Sequence, residues 1–154
     1  GRIIATDLSD FTLQKAEEAG ADVLCNIGSA PEELSRFSDS KGRVDVQLEC
    51  SGAASALYGG VALLRPGGTL VQLGLGGDMS IPMQSITAKE IILKGSFRFH
   101  QEFATAVGMM QKDLIDVKPL ITHSVDLEDA EAAFKVASDR GQAMKAQIIF
   151  ACQL

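Results

Sequence analysis

The chain has 154 residues, 46% of them hydrophobic, and a formal net charge of −6. It is long enough for one domain with a hydrophobic core. No apolar run nears the roughly 20 residues of a membrane-spanning helix, and the acidic balance disfavours general binding to a phosphate backbone.

Arg2 to Thr6 is a short apolar run with β-branched residues and reads as a strand that ends at Asp7. Ser9 is placed as the N-cap of a helix, Leu8 and Leu13 fall at the N′ and N4 positions of a hydrophobic staple, and Gly20 stands where the helix would end. ADVLCNI reads as a second strand. SAPEEL then starts a helix, with Ser29 and Glu32 at capping-box spacing and Pro31 in the first turn. A third strand alternates Val44, Val46 and Leu48 against Asp45, Gln47 and Glu49, and runs into Ser51 and Gly52. An Ala/Leu-rich helix reaches Leu64, RPGG makes a turn, and TLVQLG is a fourth strand. After a Gly-rich loop come a short helix around Gln84 to Lys89 and a fifth strand, IILKGSF. Gln101 to Lys112 reads as a helix and KPLITHSV as an extended segment. LEDAEAAFKVASD is an amphipathic helix with Ala130, Ala133, Phe134 and Ala137 on one side, and AQIIF is a last strand.

Strands alternate with helices from Arg2 to Phe97, which argues an α/β fold: a doubly wound parallel sheet with helices on both faces. The last third is extended-helix-strand and reads as a different layer. No repeat, low-complexity stretch or linker interrupts the chain. The opening GRIIATD has no basic segment leading into an apolar one and does not read as a secretory signal. Cys25, Cys50 and Cys152 are odd in number, widely spaced and without a CxxC, as expected of reduced thiols in a cytoplasmic protein.

In a dinucleotide-binding unit an acidic residue ends the second strand and holds the adenosine ribose, about 20 residues after a Gly-rich fingerprint. Asp7 has that setting: a strand behind it and a helix start ahead. Asp is also common in turns for purely local reasons, and no GxGxxG occurs in this chain, GLGG at Gly74 to Gly77 having other spacing.

The segments IIATDLS, DVQLECSGA, RPGGTLVQLGLGG, ILKGSFRF and VKPLITH, in this order, resemble zinc-dependent medium-chain dehydrogenases. Within them they resemble the sorbitol (polyol) dehydrogenase branch and its L-idonate 5-dehydrogenase relatives. The resemblance covers essentially the whole chain. It implies the C-terminal portion of a longer enzyme: residues 1–118 a partial NAD-binding Rossmann domain without its first strand and Gly-rich loop, and residues 119–154 a segment expected to pack on a catalytic domain.

By the same resemblance, Asp7 is the ribose-binding acid that favours NAD. The family often carries an Arg five residues later, where this chain has Thr12. Leu73, Gly74 and Leu75 match a segment whose backbone faces the nicotinamide carboxamide. Ser96, Phe97 and Arg98 match one that lines the nicotinamide-ribose and pyrophosphate region. The other readings of these residues are a strand-to-loop exit for the first segment and a solvated surface Arg98 for the second. Cys50, Ser51 and Gly52 lie near the family's adenine pocket, with Cys50 expected to be a small buried hydrophobe.

The family's zinc ligands come from its catalytic domain. His100 and His123 have no Cys or Glu at ligand spacing, so no metal ligand and no catalytic residue is assigned here. The pairs Glu17–Glu18 and Glu128–Asp129 read as solvated helix faces.

The activity so implied is NAD-dependent, zinc-dependent oxidation of a secondary alcohol of a polyol or sugar acid, with this chain alone inactive; a homodimer or tetramer is expected, a homodimer forming through the edge strand Ile91 to Phe97. A non-catalytic nucleotide-binding module and a structural partner chain are the alternatives.

Overall fold

The computed structural model of the chain describes residues 1–150. Its described residues fall into two compact units: one built from Gly1–Pro31 and the chain from His100 onward, the other from Glu32–Phe99.

In the first unit, β1 (Ile4–Asp7) pairs in parallel with β2 (Val23–Asn26), and α1 (Asp10–Glu18) connects them. The helix begins and ends as its sequence dictates. Ser9 Oγ accepts the Thr12 N–H at 3.4 Å. At the other end Gly20, at φ +100°, donates to Glu17 O while Ala21 donates to Ala16 O, the paired bonds of a left-handed helix stop. Leu13 is buried under this helix. The expected staple is absent: Leu8 is 72% exposed and lies beside Gly28 instead.

The same unit holds α4 (Gln101–Gln111) and a second parallel pair, β6 (Ile121–Asp126) with β7 (Lys145–Ile149), joined by α5 (Ala130–Ala137). The extended segment expected from Lys118 opens with a short 3-10 turn, Lys118–Leu120. On α5 the apolar side is narrower than its sequence suggests. Ala133 is buried and Ala130 half-buried, but Phe134 is 70% exposed and Ala137 is exposed too.

In the second unit, β3 (Val44–Glu49), β4 (Leu64–Gln72) and β5 (Ile92–Gly95) form a parallel sheet in that order. Helices α2 (Ala54–Leu63) and α3 (Met83–Ala88) connect the strands. Leu57, Val61, Leu64, Leu70, Ile86 and Ile91 make the core. Each buried aliphatic side chain there contributes about 1.5–3 kcal/mol relative to exposure. Lys89 Nζ donates to the carbonyls of Val61, Ala62 and Leu64 at 2.8–2.9 Å, closing the end of α2 with a cation, where the helix dipole favours one.

Two expectations change here. SAPEEL does not open an α-helix: Pro31–Phe37 is 3-10, and the Ser29 N–H goes to Asn26 Oδ1 at 3.2 Å. RPGG is not a turn between elements. It lies within β4 as an irregularity, since Val44 pairs with Leu64 but Val46 already pairs with Thr69. Gly67, at φ +71°, turns its N–H to Lys89 O at 2.7 Å. On β3 two polar residues face inward, while Asp45 stays exposed and Val44 packs on the core. Glu49 is 3% exposed and Gln47 half-buried beneath α2, whose Gly60 leaves room for it, whereas Val46 and Leu48 are 55% and 64% exposed. Within this unit the opposite sheet face, carrying Val46, Leu48 and Ile92, is bare.

Candidate functional site

Asp7 is the last residue of β1, half-buried, with its Oδ1 accepting the Ser9 N–H at 2.9 Å. This is the two-residue aspartate turn that the sequence allows. It also sets Ser9 to cap α1, so the strand end, the carboxylate and the helix start form one local device. Oδ2 makes no hydrogen bond among the described residues. Lys15, in the last turn of α1, is tied to Glu18 at 2.6 Å.

The second unit brings the other two predicted segments to one place. All three strands are parallel, so Leu73–Leu75 and Ser96–Arg98 both leave the sheet at its carboxyl end, where open α/β sheets take ligands. The Ser96 N–H donates to Gln72 O at 2.9 Å and ties the two exits together. Arg98 holds a left-handed backbone (φ +60°) with its guanidinium 4.9 Å from the Phe97 ring centroid.

Gly74 is fixed from below. The Leu73 and Gly74 N–H groups donate to Glu49 O at 2.8 and 2.9 Å, and Gln72 Nε2 donates to Gly74 O at 2.9 Å. A Cβ at Gly74 would stand 2.1 Å from the Gly52 nitrogen, so the neighbouring loop already requires glycine there, whatever binds above. Among the described residues the Leu73 carbonyl and the N–H and carbonyl of Leu75 make no hydrogen bond, and the Leu75 carbonyl lies over Gly52. Beside them Leu73, Leu75 and Phe97 are 40%, 78% and 61% exposed. Apolar surface next to uncommitted backbone donors and acceptors is chemically compatible with a flat aromatic amide such as a nicotinamide.

Sequence reasoning missed Glu49. Its carboxylate accepts from the Ser51 N–H at 2.8 Å, from Ser51 Oγ, from the Gly52 N–H at 3.0 Å and from Gln72 Nε2. Burial alone would raise this pKa. The donors from Ser51 Oγ, Gly52, the Ser51 N–H and Gln72 outweigh it and hold the carboxyl below the ordinary glutamate range. A signal was present: Glu49–Cys50–Ser51 repeats the carboxylate-x-Ser spelling of Asp7–Leu8–Ser9. Cys50 itself is exposed, not buried as expected. Cys25 is the buried one, and Cys152 lies outside the described residues.

Among the described residues no three His, Cys, Asp or Glu side chains come together as metal ligands. His123 Nδ1 stands 3.0 Å from Thr122 Oγ1. A zinc ion does not fit these residues, and no step is assigned to one here. Glu17, Glu18, Glu128 and Asp129 are all exposed. An open depression lined by Tyr58, Val61, Ser85 and Lys89 touches none of the candidate cofactor residues. No helix among the described residues is long and apolar enough to cross a membrane.

Comparison with known proteins gives the family and the fold of this chain. Residues 1–112 match a family described as zinc-binding dehydrogenase. The chain is 38% identical over 149 residues to L-idonate 5-dehydrogenase (NAD(P)(+)) of Escherichia coli K12, covering 96% of this chain and 43% of that protein. It is 35% identical over 151 residues to sorbitol dehydrogenase of Ovis aries, covering 96% of this chain and 42% of that one. Its fold matches the crystal structure of the E. coli L-idonate 5-dehydrogenase at a TM-score of 0.89 and 37% identity, covering 97% of this chain and 43% of that one. It also matches a structure described as a short chain alcohol dehydrogenase from E. coli CFT073, complexed with the cofactor NADH, at 0.86 and 26% identity, covering 97% and 44%. The chain therefore spans less than half the length of these relatives, and its α/β architecture of parallel sheets is that of their Rossmann-like portion.

Proposed function

The chain belongs to the zinc-binding dehydrogenase family, and on that premise we propose that it is the cofactor-binding portion of an NAD-dependent, zinc-dependent dehydrogenase acting on a secondary alcohol of a polyol or sugar acid. When bound, NAD would accept a hydride at its nicotinamide ring. The residues of this chain bind and orient it. Asp7 takes the adenosine ribose hydroxyls through its uncommitted oxygen. The Leu73 carbonyl and the Leu75 N–H hold the carboxamide, Gly74 lets the loop close on its neighbour, and Ser96, Phe97 and Arg98 flank the nicotinamide ribose and pyrophosphate. Zinc and the proton relay lie outside this chain. Residues 119–154 pack on the portion that supplies them. Similarity to L-idonate and sorbitol dehydrogenases supports this substrate class.

The observation that carries this reading is Asp7, a strand-end carboxylate with one oxygen in a turn and the other without a partner. A 2′-phosphate beside it would set two negative charges within a few ångströms. At a surface-like dielectric their repulsion is about 3 kcal/mol, roughly a hundredfold in affinity. NAD and NADP affinities, measured with Asp7 intact and as Asp7→Ser, test it. The intact chain should prefer NAD by about that factor and the variant should lose most of the preference. An unchanged ratio makes Asp7 a turn residue only. The 154-residue chain should show no NAD reduction with sorbitol or L-idonate and added zinc; turnover above a no-protein control overturns that part. We further propose that β5, exposed along its whole length, pairs with its copy in a homodimer. A monomer in sedimentation at high concentration would sink that.

A further inference from the structure

Glu49 is 3% exposed, yet it is the most heavily engaged side chain of its unit and appears in none of the roles assigned above. A buried carboxylate is costly to desolvate, and an apolar residue of the same shape would often serve stability as well or better. What the carboxylate supplies instead is geometry. One oxygen set fixes Ser51 and Gly52 at the exit of β3. The same carboxylate orients the Gln72 amide, which donates on to Gly74 O at 2.9 Å. The main-chain carbonyl of Glu49 takes the N–H groups of Leu73 and Gly74. Every polar backbone group of Gly74 is thus claimed by Glu49 or by the side chain that Glu49 holds. The Gln72 amide has little freedom to turn over. Its Oε1 is buried without a partner, and a flip would bring that oxygen against the carboxylate.

We propose that Glu49 is a positioning residue for the nicotinamide end of the cofactor. It acts through Gln72 and Gly74 and sets the direction of the Leu73 carbonyl and the Leu75 N–H. The proposal rests on the assignment of Leu73–Leu75 to that end of the cofactor. Asp7, assigned to the adenosine ribose, makes no hydrogen bond to this network.

The test compares two ligands on the 154-residue chain: NADH, which carries the nicotinamide, and ADP-ribose, which lacks it. Affinities are measured for the native chain, Glu49→Gln and Gln72→Leu, with circular dichroism on each and the emission spectrum of bound NADH recorded. Both variants should weaken NADH by about tenfold, which corresponds to about 1.4 kcal/mol. Both should shift the emission of bound NADH, and Gln72→Leu, which leaves Ser51 and Gly52 on the carboxylate, should leave ADP-ribose within about twofold. Gln72→Leu keeps the carboxylate and serves if Glu49→Gln does not fold. Equal weakening of both ligands by Gln72→Leu, or no weakening of either, overturns the proposal. A native chain that binds ADP-ribose as tightly as NADH overturns the nicotinamide assignment beneath it. One that binds neither overturns the cofactor reading as a whole.

Discussion

β1 and β3 end alike. Each closes on a carboxylate two residues before a serine, and in each the first oxygen accepts that serine's N–H, at 2.9 Å for Asp7 and 2.8 Å for Glu49. The second oxygen separates them. Asp7 Oδ2 meets nothing among the described residues, while Glu49 Oε2 takes the Gly52 N–H and the Gln72 amide. Length explains part of this: the extra methylene of Glu lets its carboxylate fold back under its own loop, where β4 reaches it from the side. One local turn therefore serves two ends. With an oxygen left over, the acid is available to a ligand. With both oxygens bonded, it is part of the frame.

If that contrast is right, changes around Glu49 should cost stability and changes at Asp7 should not. The largest loss is expected at Gly74→Ala. The added Cβ would stand 2.1 Å from Gly52 N and 2.8 Å from Glu49 Oε2, where backbone rather than a flexible side chain must give way. Denaturant unfolding should show a loss of about 3 kcal/mol. A loss under about 1 kcal/mol would mean that the two loops separate easily and are not one frame.

Glu49→Gln comes next, at about 2 kcal/mol, because its amide nitrogen would face N–H donors in a buried site. Its pH dependence gives a second check. The folded carboxyl titrates below the ordinary range, so the native state prefers the ionised form. The stability it contributes is present above the unfolded value of about 4.3 and is lost as pH falls through the lower folded value. The gap between native chain and variant should narrow on acidification through that window. A constant gap would remove the charge from the account.

How much of this was legible follows the same line. The start and stop of α1 were, because Ser9 and Gly20 act on groups within a few residues of themselves. The parallel α/β order was legible from alternating apolar runs. The inward face of β3 was not: its alternation of Val and polar residues is symmetric to reading, and only α2 crossing above, with Gly60 over Gln47, decides which side is covered. RPGG was misread for a similar reason, since the partner of Gly67 is Lys89, 22 positions away. The turn at Asp7 was legible because its signal is local, whereas Glu49 has the same local turn to Ser51 and Gly52 and its added bond from Gln72, 23 positions on, appears only in the fold.

Lys89 offers a charge committed like Glu49 but at a helix end. Burial draws its pKa below the ordinary lysine range, yet its ammonium closes three carbonyls of the α2 terminus. Lys89→Met should lower stability by about 1 kcal/mol, less than Glu49→Gln because the freed carbonyls lie where water can reach some of them. A neutral result would show that solvent replaces the ammonium fully.

The smallest effect is expected at Asp7→Asn, and its smallness is the point. Asparagine keeps an oxygen at the Oδ1 position, so the Ser9 N–H retains its acceptor and α1 keeps its start. What disappears is the charge, and no cation among the described residues pairs with it. Thermal or denaturant unfolding should therefore move by less than about 0.5 kcal/mol. The NAD preference over NADP should fall by most of its value, because repulsion of a 2′-phosphate needs the carboxylate and not the turn. Stability and selectivity separate at this residue only if the fold leaves its charge unused. A loss above about 1.5 kcal/mol, with the cofactor ratio unchanged, would place Asp7 with Glu49 in the frame and remove the difference between the two strand ends.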